Sequence, residues 1–117
     1  MSGLSSHVLD TVAGSPAAGV HVTLLRLDSP DGTGTEVAKA ITNDDGRTDA
    51  PLLDADALAA GGTFELRFDL GTYFGGTGAG AGFLGIVPVR FTVAPGTTKL
   101  HVPLLASPWS YTTYRGS

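Results

Sequence analysis

The sequence predicts an all-β protein, a two-sheet β-sandwich of seven to eight short strands with one short helix. Seventeen glycines and seven prolines among 117 residues indicate many turns. Between these turns apolar and polar residues alternate, as they do on half-buried strands. The chain has no cysteine, and its length is enough to bury roughly two-thirds of the surface of the unfolded chain. We therefore expect a single domain over residues 1–117 that needs no disulfides.

The predicted strands are segments in which apolar residues recur at every second position, or in which aromatic and β-branched residues cluster. In chain order they cover residues 4–9, 20–27, 35–42, 63–69, 86–93, 99–105 and 109–114. The fourth strand alternates most clearly, so Phe64, Leu66 and Phe68 are expected to face the core and Glu65 to face solvent. Pro88 interrupts the fifth strand on its non-core side, which predicts a strand start or an edge position because proline has no N–H to donate.

Turn-forming residues separate these strands. Runs of Gly, Pro, Asn and Asp, which fix φ or permit positive φ, occur at Gly14-Ser-Pro-Ala17, Ser29-Pro-Asp-Gly32, Asn43-Asp-Asp-Gly46 and Ala106-Ser-Pro108. Residues 54–60 are expected to form one short helical turn, because Asp54 suits an N-cap and Gly61 suits a helix end. The glycine-rich stretch 71–82 is expected to be a surface loop.

Charge and composition exclude several classes of function. Eleven acidic and seven basic residues give a mildly acidic chain with scattered cations, so neither nucleic acid nor an acidic membrane surface is expected as a partner. No apolar run approaches the roughly 20 residues of a membrane span. The first ten residues lack a basic segment followed by an apolar one, which predicts no secretory signal and a cytoplasmic location. The sequence has no Walker loop, Rossmann fingerprint or His-Glu-x-x-His motif, and a chain without cysteine has no thiolate metal site.

Three histidines and one arginine are the first candidates for chemistry. His7 and His101 lie on the non-core faces of the first and sixth predicted strands. They are either partly exposed fillers or, if those strands meet, a pair on one sheet surface. Arg47 follows a tight turn, so it either grips a planar anion bidentately or is simply solvated. His21 lies on the outward face of its strand and is interpreted as structural.

The C-terminal segment is a second candidate. Trp109, Tyr111 and Tyr114 lie among threonines, a composition that favours a half-buried strand at a place where chains are usually frayed. Arg115 and Ser117 follow that strand directly. They either build a recognition site or belong to a solvated edge strand.

Five stretches of the chain occur in the order found in a known family. They are Leu4-Ser-Ser-His-Val-Leu-Asp-Thr11, Gly19-Val-His-Val-Thr-Leu24, Asn43-Asp-Asp-Gly-Arg47, His101-Val-Pro-Leu-Leu-Ala-Ser-Pro108 and Tyr114-Arg-Gly-Ser117. Together they resemble the 5-hydroxyisourate hydrolases, the transthyretin-like enzymes of urate breakdown. The closing Tyr-Arg-Gly-Ser is the most specific stretch, because in this family it separates the hydrolases from the hormone-carrying transthyretins of the same fold.

The resemblance implies a transthyretin-like sandwich assembled as a homotetramer, with active sites in a channel at the dimer–dimer interface. It implies hydrolysis of the small molecule 5-hydroxyisourate to 2-oxo-4-hydroxy-4-carboxy-5-ureidoimidazoline by opening of a cyclic amide, without a metal or organic cofactor. The catalytic positions that it implies are His7, Arg47, His101 and Ser117. The substrate-binding positions that it implies are His7, Arg47, Tyr114, Arg115 and Gly116.

Amide hydrolysis suits these residue types. An imidazole with a pKa near neutral can take a proton from water at working pH, and either His7 or His101 can be that base. Arg47 would hold the oxygens of the substrate and offset developing negative charge. Lys99 stands where the family often has a histidine, and its charge is expected to lower the pKa of His101. The alternative function is a transthyretin-like protein that binds a small ligand without catalysis.

Overall fold

Two four-stranded sheets pack face to face in a computed structural model that describes residues 2–78 and 82–117. The strands are β1 (Gly3–Asp10), β2 (Ser15–Pro16), β3 (His21–Leu27), β4 (Gly34–Ile41), β5 (Gly62–Asp69), β6 (Ile86–Val93), β7 (Lys99–Ala106) and β8 (Tyr111–Thr113). The helices are α1 (Ala55–Ala59) and α2 (Leu70–Thr77). Sheet I has the order β2-β1-β7-β8, and sheet II has the order β4-β3-β5-β6. The predicted two-sheet sandwich is confirmed.

Sheet I is built around a parallel pair. Strand β1 runs parallel to β7 with Leu4 opposite Leu100 and Ser5 opposite His101. Since alternate residues of a strand point to opposite faces, this register places Leu4, Val8 and Leu100 against sheet II, where all three are buried. The intervening residues of both strands form the outer face of sheet I, the face turned away from sheet II.

The core between the sheets is apolar and rich in phenylalanine. Phe64, Leu66 and Phe68 of β5 are completely buried, as the alternation predicts. Pro88 lies in β6, an edge strand of sheet II, which confirms the predicted edge position. Burial of each such phenylalanine or leucine stabilises the fold by about 1.5–3 kcal/mol relative to an exposed side chain.

Glu65 departs from its predicted exposure. It lies on the outer face of sheet II, yet only 5% of it is exposed. Arg67 Nε lies 2.6 Å and Arg90 Nη2 3.0 Å from its two carboxylate oxygens. Burial alone would raise the pKa of Glu65, but the hydrogen bonds and charges of the two arginines outweigh burial and lower it. Two flanking guanidiniums therefore cover a residue that the alternation places toward solvent.

Helix α1 follows the prediction, and α2 does not. The Asp54 carboxylate accepts a hydrogen bond from the backbone N–H of Ala57 (2.8 Å), and Gly61 after the helix has φ +72°. The stretch 71–82, expected to be a loop, instead lies partly in α2, so the described chain has two helices rather than one. Residues 79–81 of that stretch lie outside the described residues. Neither helix in the described ranges is long and apolar enough to span a membrane.

Tertiary contacts explain α2 despite its three glycines. Leu70 and Phe74 are buried on one side of the helix, and the Tyr73 hydroxyl donates to a carboxylate oxygen of Asp10 (2.7 Å). Burial and this hydrogen bond raise the pKa of Tyr73 to about 12. Asp69 caps the first turn, and Gly78 ends the helix with φ +74°. These contacts offset the low helix propensity of glycine.

The C-terminal strand is shorter than predicted. Strand β8 begins at Tyr111, because the Ser107 hydroxyl accepts hydrogen bonds from the backbone N–H groups of Trp109 (3.2 Å) and Ser110 (3.0 Å) and holds them in a turn. The three aromatic side chains are exposed rather than half-buried, with Trp109 at 61%, Tyr111 at 42% and Tyr114 at 58%. The end of the sandwich thus presents aromatic surface.

Candidate active site

The parallel pairing of β1 with β7 brings two histidines to the outer face of sheet I. His101 lies directly opposite Ser5, and His7 follows two residues further along β1 on the same face. Both imidazoles are half-buried, and the charge of Arg47 lowers the pKa of each. The two candidate histidines, distant in sequence, therefore share one surface.

Arg47 reaches this surface through the predicted turn. The side-chain oxygen of Asn43 accepts hydrogen bonds from the backbone N–H groups of Asp45 (2.9 Å) and Arg47 (3.2 Å). Gly46 has φ +75°, and its carbonyl accepts the N–H of Val8 on β1 (2.8 Å). Arg47 consequently pairs with His7 as an isolated bridge. The turn fixes the backbone of Arg47 beside both imidazoles.

The C-terminal tail closes one side of the site through Gly116. Its backbone N–H donates to the carbonyl of His101 (2.8 Å). A Cβ at this position would lie 2.5 Å from the His101 Cδ2 atom, a distance that side chains do not tolerate. Glycine is therefore required where the tail lies against the imidazole.

The remaining tail residues are divided between two places. Tyr114 and Arg115 line a cleft of about 370 Å³ between β6 and the core-facing side of β7, along with Phe91, Leu100 and Val102. That cleft lies on the opposite side of β7 from the His101 ring. Ser117 is exposed after Gly116. Within one chain, Gly116 is thus the tail residue that the structure shows against the His101 ring.

Both imidazoles have depressed pKa values. Burial is the main cause of the lower pKa of His7, followed by the charge of Arg47, with a hydrogen bond to the Asp45 backbone opposing them. Burial also lowers the pKa of His101 most, and the charges of Arg47, His7 and Lys99 add to it in that order. The predicted direction for His101 is confirmed, although Lys99 contributes least. Both shifts favour the neutral form of the rings.

Ser5 is a site residue that the sequence reasoning missed. Its hydroxyl lies 2.8 Å from the Nδ1 atom of His101. The available signal was a hydroxyl two residues before His7 on the same strand face. Its partner could not be named, because the register between β1 and β7 is not visible in the sequence.

The site can perform acid–base chemistry on a planar, electron-rich molecule. Two neutral imidazoles can each give or take a proton, and an exposed guanidinium can bind carbonyl or carboxylate oxygens. Among residues 2–78 and 82–117, no three His, Asp or Glu side chains are grouped so as to hold a metal ion. The arrangement defines a transthyretin-like sandwich that carries an imidazole–guanidinium site on one outer sheet face.

Comparison with known proteins agrees with this class. The HIUase/Transthyretin family model matches residues 4–116, and the chain belongs to that family. It is 52% identical over 117 residues to the 5-hydroxyisourate hydrolase of Deinococcus radiodurans, covering 98% of this chain and 96% of that protein.

Two solved structures show how far the likeness extends. The crystal structure of (S)-allantoin synthase superposes with a TM-score of 0.87 at 41% identity, covering 99% of this chain but only 44% of that one. The chain thus spans less than half of that protein. Sea bream transthyretin in complex with thyroxine has a TM-score of 0.84 at 29% identity, covering 97% of this chain and 93% of that one. A synthase and a transthyretin bound to thyroxine thus share the fold.

Proposed function

We propose that the chain hydrolyses 5-hydroxyisourate to 2-oxo-4-hydroxy-4-carboxy-5-ureidoimidazoline in urate degradation. One observation carries the proposal: His7, Arg47 and His101 meet on one sheet face. The 52% identity to a hydrolase of this name supports the choice of substrate. The chain acts as one domain over residues 1–117, in keeping with a family match over residues 4–116.

The chemistry follows from the neutral state of the imidazoles. One histidine takes a proton from water as the water oxygen adds to the carbonyl carbon of the cyclic amide. Arg47 binds the substrate oxygens and stabilises the negative charge that develops on the carbonyl oxygen. The ring C–N bond then breaks, and the leaving nitrogen takes up a proton from an imidazole. General base catalysis of this kind typically contributes about 10²–10⁴-fold.

The tail and the assembly complete the proposed site. Tyr114, Arg115 and Gly116 bind substrate, and Ser117 takes part in catalysis. The chain forms a homotetramer whose active sites lie at the dimer–dimer interface. This assembly is supported by the position of the site on an outer sheet face, where a second copy can desolvate it, and by the exposed Trp109 and Tyr111.

The second candidate is ligand binding without catalysis. The similarity to a transthyretin bound to thyroxine favours it. The site argues against it, because an apolar ligand gains nothing from two titratable rings and a guanidinium whose desolvation is costly. Hydrolysis is therefore the better proposal.

Turnover separates the two candidates. Freshly prepared 5-hydroxyisourate is mixed with the purified protein, and its ultraviolet absorbance is followed against spontaneous decay. We expect rapid decay with the native protein, decay at the spontaneous rate with His7→Ala and His101→Ala, and full activity with His21→Ala, a matched control on the other sheet. Spontaneous decay with folded native protein would favour the carrier.

A further inference from the structure

The His101 ring is held on two sides within one chain. Ser5 Oγ lies 2.8 Å from Nδ1, and the backbone of Gly116 lies against the Cδ2 side of the ring. No hydrogen-bond partner of Nε2 is found among the described residues. Among the described residues, the ring is therefore held by a hydrogen bond at one nitrogen only, Nδ1.

The position of Ser5 is determined by the sheet rather than by a mobile loop. Ser5 and His101 are register partners in adjacent strands, and the intervening Ser6 anchors the same strand by donating to the Val102 carbonyl (2.7 Å). His7 lies two residues beyond Ser5 on the same face. Strand β1 thus supplies both one imidazole and the hydroxyl that lies within hydrogen-bond distance of the other.

We propose that Ser5 is a positioning residue of the hydrolytic reaction, holding Nδ1 of His101 so that Nε2 is the nitrogen that exchanges a proton at the substrate. This inference rests on the proposed hydrolase function. A neutral imidazole has one N–H and one lone pair, and the hydrogen bond made by one nitrogen determines the state of the other. Without Ser5 the ring samples both tautomers and a flipped orientation.

Removal of the Ser5 hydroxyl would leave the His101 imidazole in the site but would lower the fraction of it that is correctly oriented. Loss of a group that orients a catalytic ligand typically costs about 10–100-fold in activity. We expect Ser5→Ala to lower kcat by about this factor with KM little changed. Ser5→Thr, which keeps the hydroxyl on a residue that favours strands, is expected to restore most of the rate.

The test pairs kinetics with a measurement that does not depend on turnover. Uniformly ¹⁵N-labelled native protein, Ser5→Ala, Ser5→Thr and Ser6→Ala are compared by NMR of the imidazole nitrogens above pH 7. The His101 signals are expected to show one dominant tautomer in the native protein and Ser5→Thr, and a mixture in Ser5→Ala. Ser6→Ala is the control: it loses a buried hydrogen bond and stability, but keeps the His101 signals and kcat.

Each outcome bears on the proposal. Native-like His101 signals in Ser5→Ala would overturn the positioning role whatever the rate, as would an unchanged kcat beside a mixed tautomer. Equal losses of kcat in Ser5→Ala and Ser6→Ala would reduce Ser5 to a structural role. If the native protein has no turnover, the proposed reaction fails, while the tautomer comparison still decides whether Ser5 orients His101.

Discussion

Burial and the positive charge of Arg47 lower the pKa of both His7 and His101 and so favour their neutral forms. Since both pKa values lie below 6.5, the basic form persists to lower pH than in a free histidine. We expect kcat/KM for 5-hydroxyisourate to stay level as the pH falls from 8 to about 6.5 and to decline only in more acidic solution. A pH–rate profile, corrected for spontaneous decay of the substrate, measures where kcat/KM begins to decline.

Two substitutions of Arg47 separate the effect of its positive charge from the effect of its planar guanidinium. In Arg47→Gln the positive charge is gone, so NMR titration should show the pKa of both histidines moving up. In Arg47→Lys the charge remains and the pKa values should stay depressed, but turnover should fall because an ammonium cannot bind two oxygens in one plane. Native-like kinetics in Arg47→Lys would contradict the bidentate role, and unmoved titrations in Arg47→Gln would contradict the electrostatic one.

Gly116 tests whether the tail must lie against the imidazole. In Gly116→Ala the new methyl group would displace the His101 ring, so we expect kcat to fall at least about 10-fold while thermal stability changes little. Gly85→Ala is a matched control, since a Cβ there meets no atom of the described residues within 4 Å. Unaltered kinetics in Gly116→Ala would mean that catalysis does not depend on the position of the His101 ring against the tail.

At this scale the sequence identified side chains but not the contacts between them. Strand faces, a turn and a family resemblance make His7, Arg47 and His101 candidates, and the structure brings these three residues together. The contact of Ser5 with His101 depends on the register of β1 with β7. The close approach of Gly116 to the same ring depends on the path of the tail, and residue types alone specify neither.

At the scale of elements, four pieces of the chain meet at the site: β1, β7, the turn before Arg47 and the C-terminal tail. Alternation predicted the two strands, and turn chemistry predicted the turn. Helix α2 was missed because its glycines disfavour a helix, while the burial of Leu70 and Phe74 that stabilises it is a tertiary effect. The extent of β8 was overestimated for the converse reason, since a local serine turn overrides strand propensity.

Helix α2 provides a stability prediction. Gly75 and Gly76 lie within the helix, and a Cβ at either meets no atom within 4 Å in residues 2–78 and 82–117. Gly75→Ala or Gly76→Ala should therefore raise the free energy of unfolding by about 0.5–1 kcal/mol, measured by urea denaturation. Gly78→Ala should lower it by about 1–2 kcal/mol, because its left-handed backbone strains any residue with a Cβ. Equal effects at the three positions would contradict the helix end at Gly78.

At the scale of the whole molecule, the outer face of sheet I carries the candidate site, and within one chain the tail residues Tyr114 and Arg115 line a cleft on the other side of β7 from His101. The histidine face is open in a single chain, and it becomes enclosed when another copy packs over it. The proposed homotetramer supplies that copy, and desolvation there strengthens the interaction of Arg47 with a developing oxyanion.

Light scattering during size-exclusion chromatography tests the assembly. The native protein should have four times the 11.9 kDa mass of one chain. Leu105 lies on the outer face of β7, two register positions from Pro103, which pairs with His7. A carboxylate there would be buried without a partner if copies meet on this face, so Leu105→Glu should reduce the mass and the turnover together while circular dichroism stays native.

Val37→Glu is the matched control, because Val37 is 43% exposed on β4 at the far edge of sheet II. It adds the same charge to an exposed apolar strand position and should leave both mass and activity unchanged. A native protein with the mass of one chain and full turnover would contradict the shared site, since a single chain would then suffice for catalysis. If Leu105→Glu lowers the mass but keeps full turnover, the tetramer is not needed for catalysis.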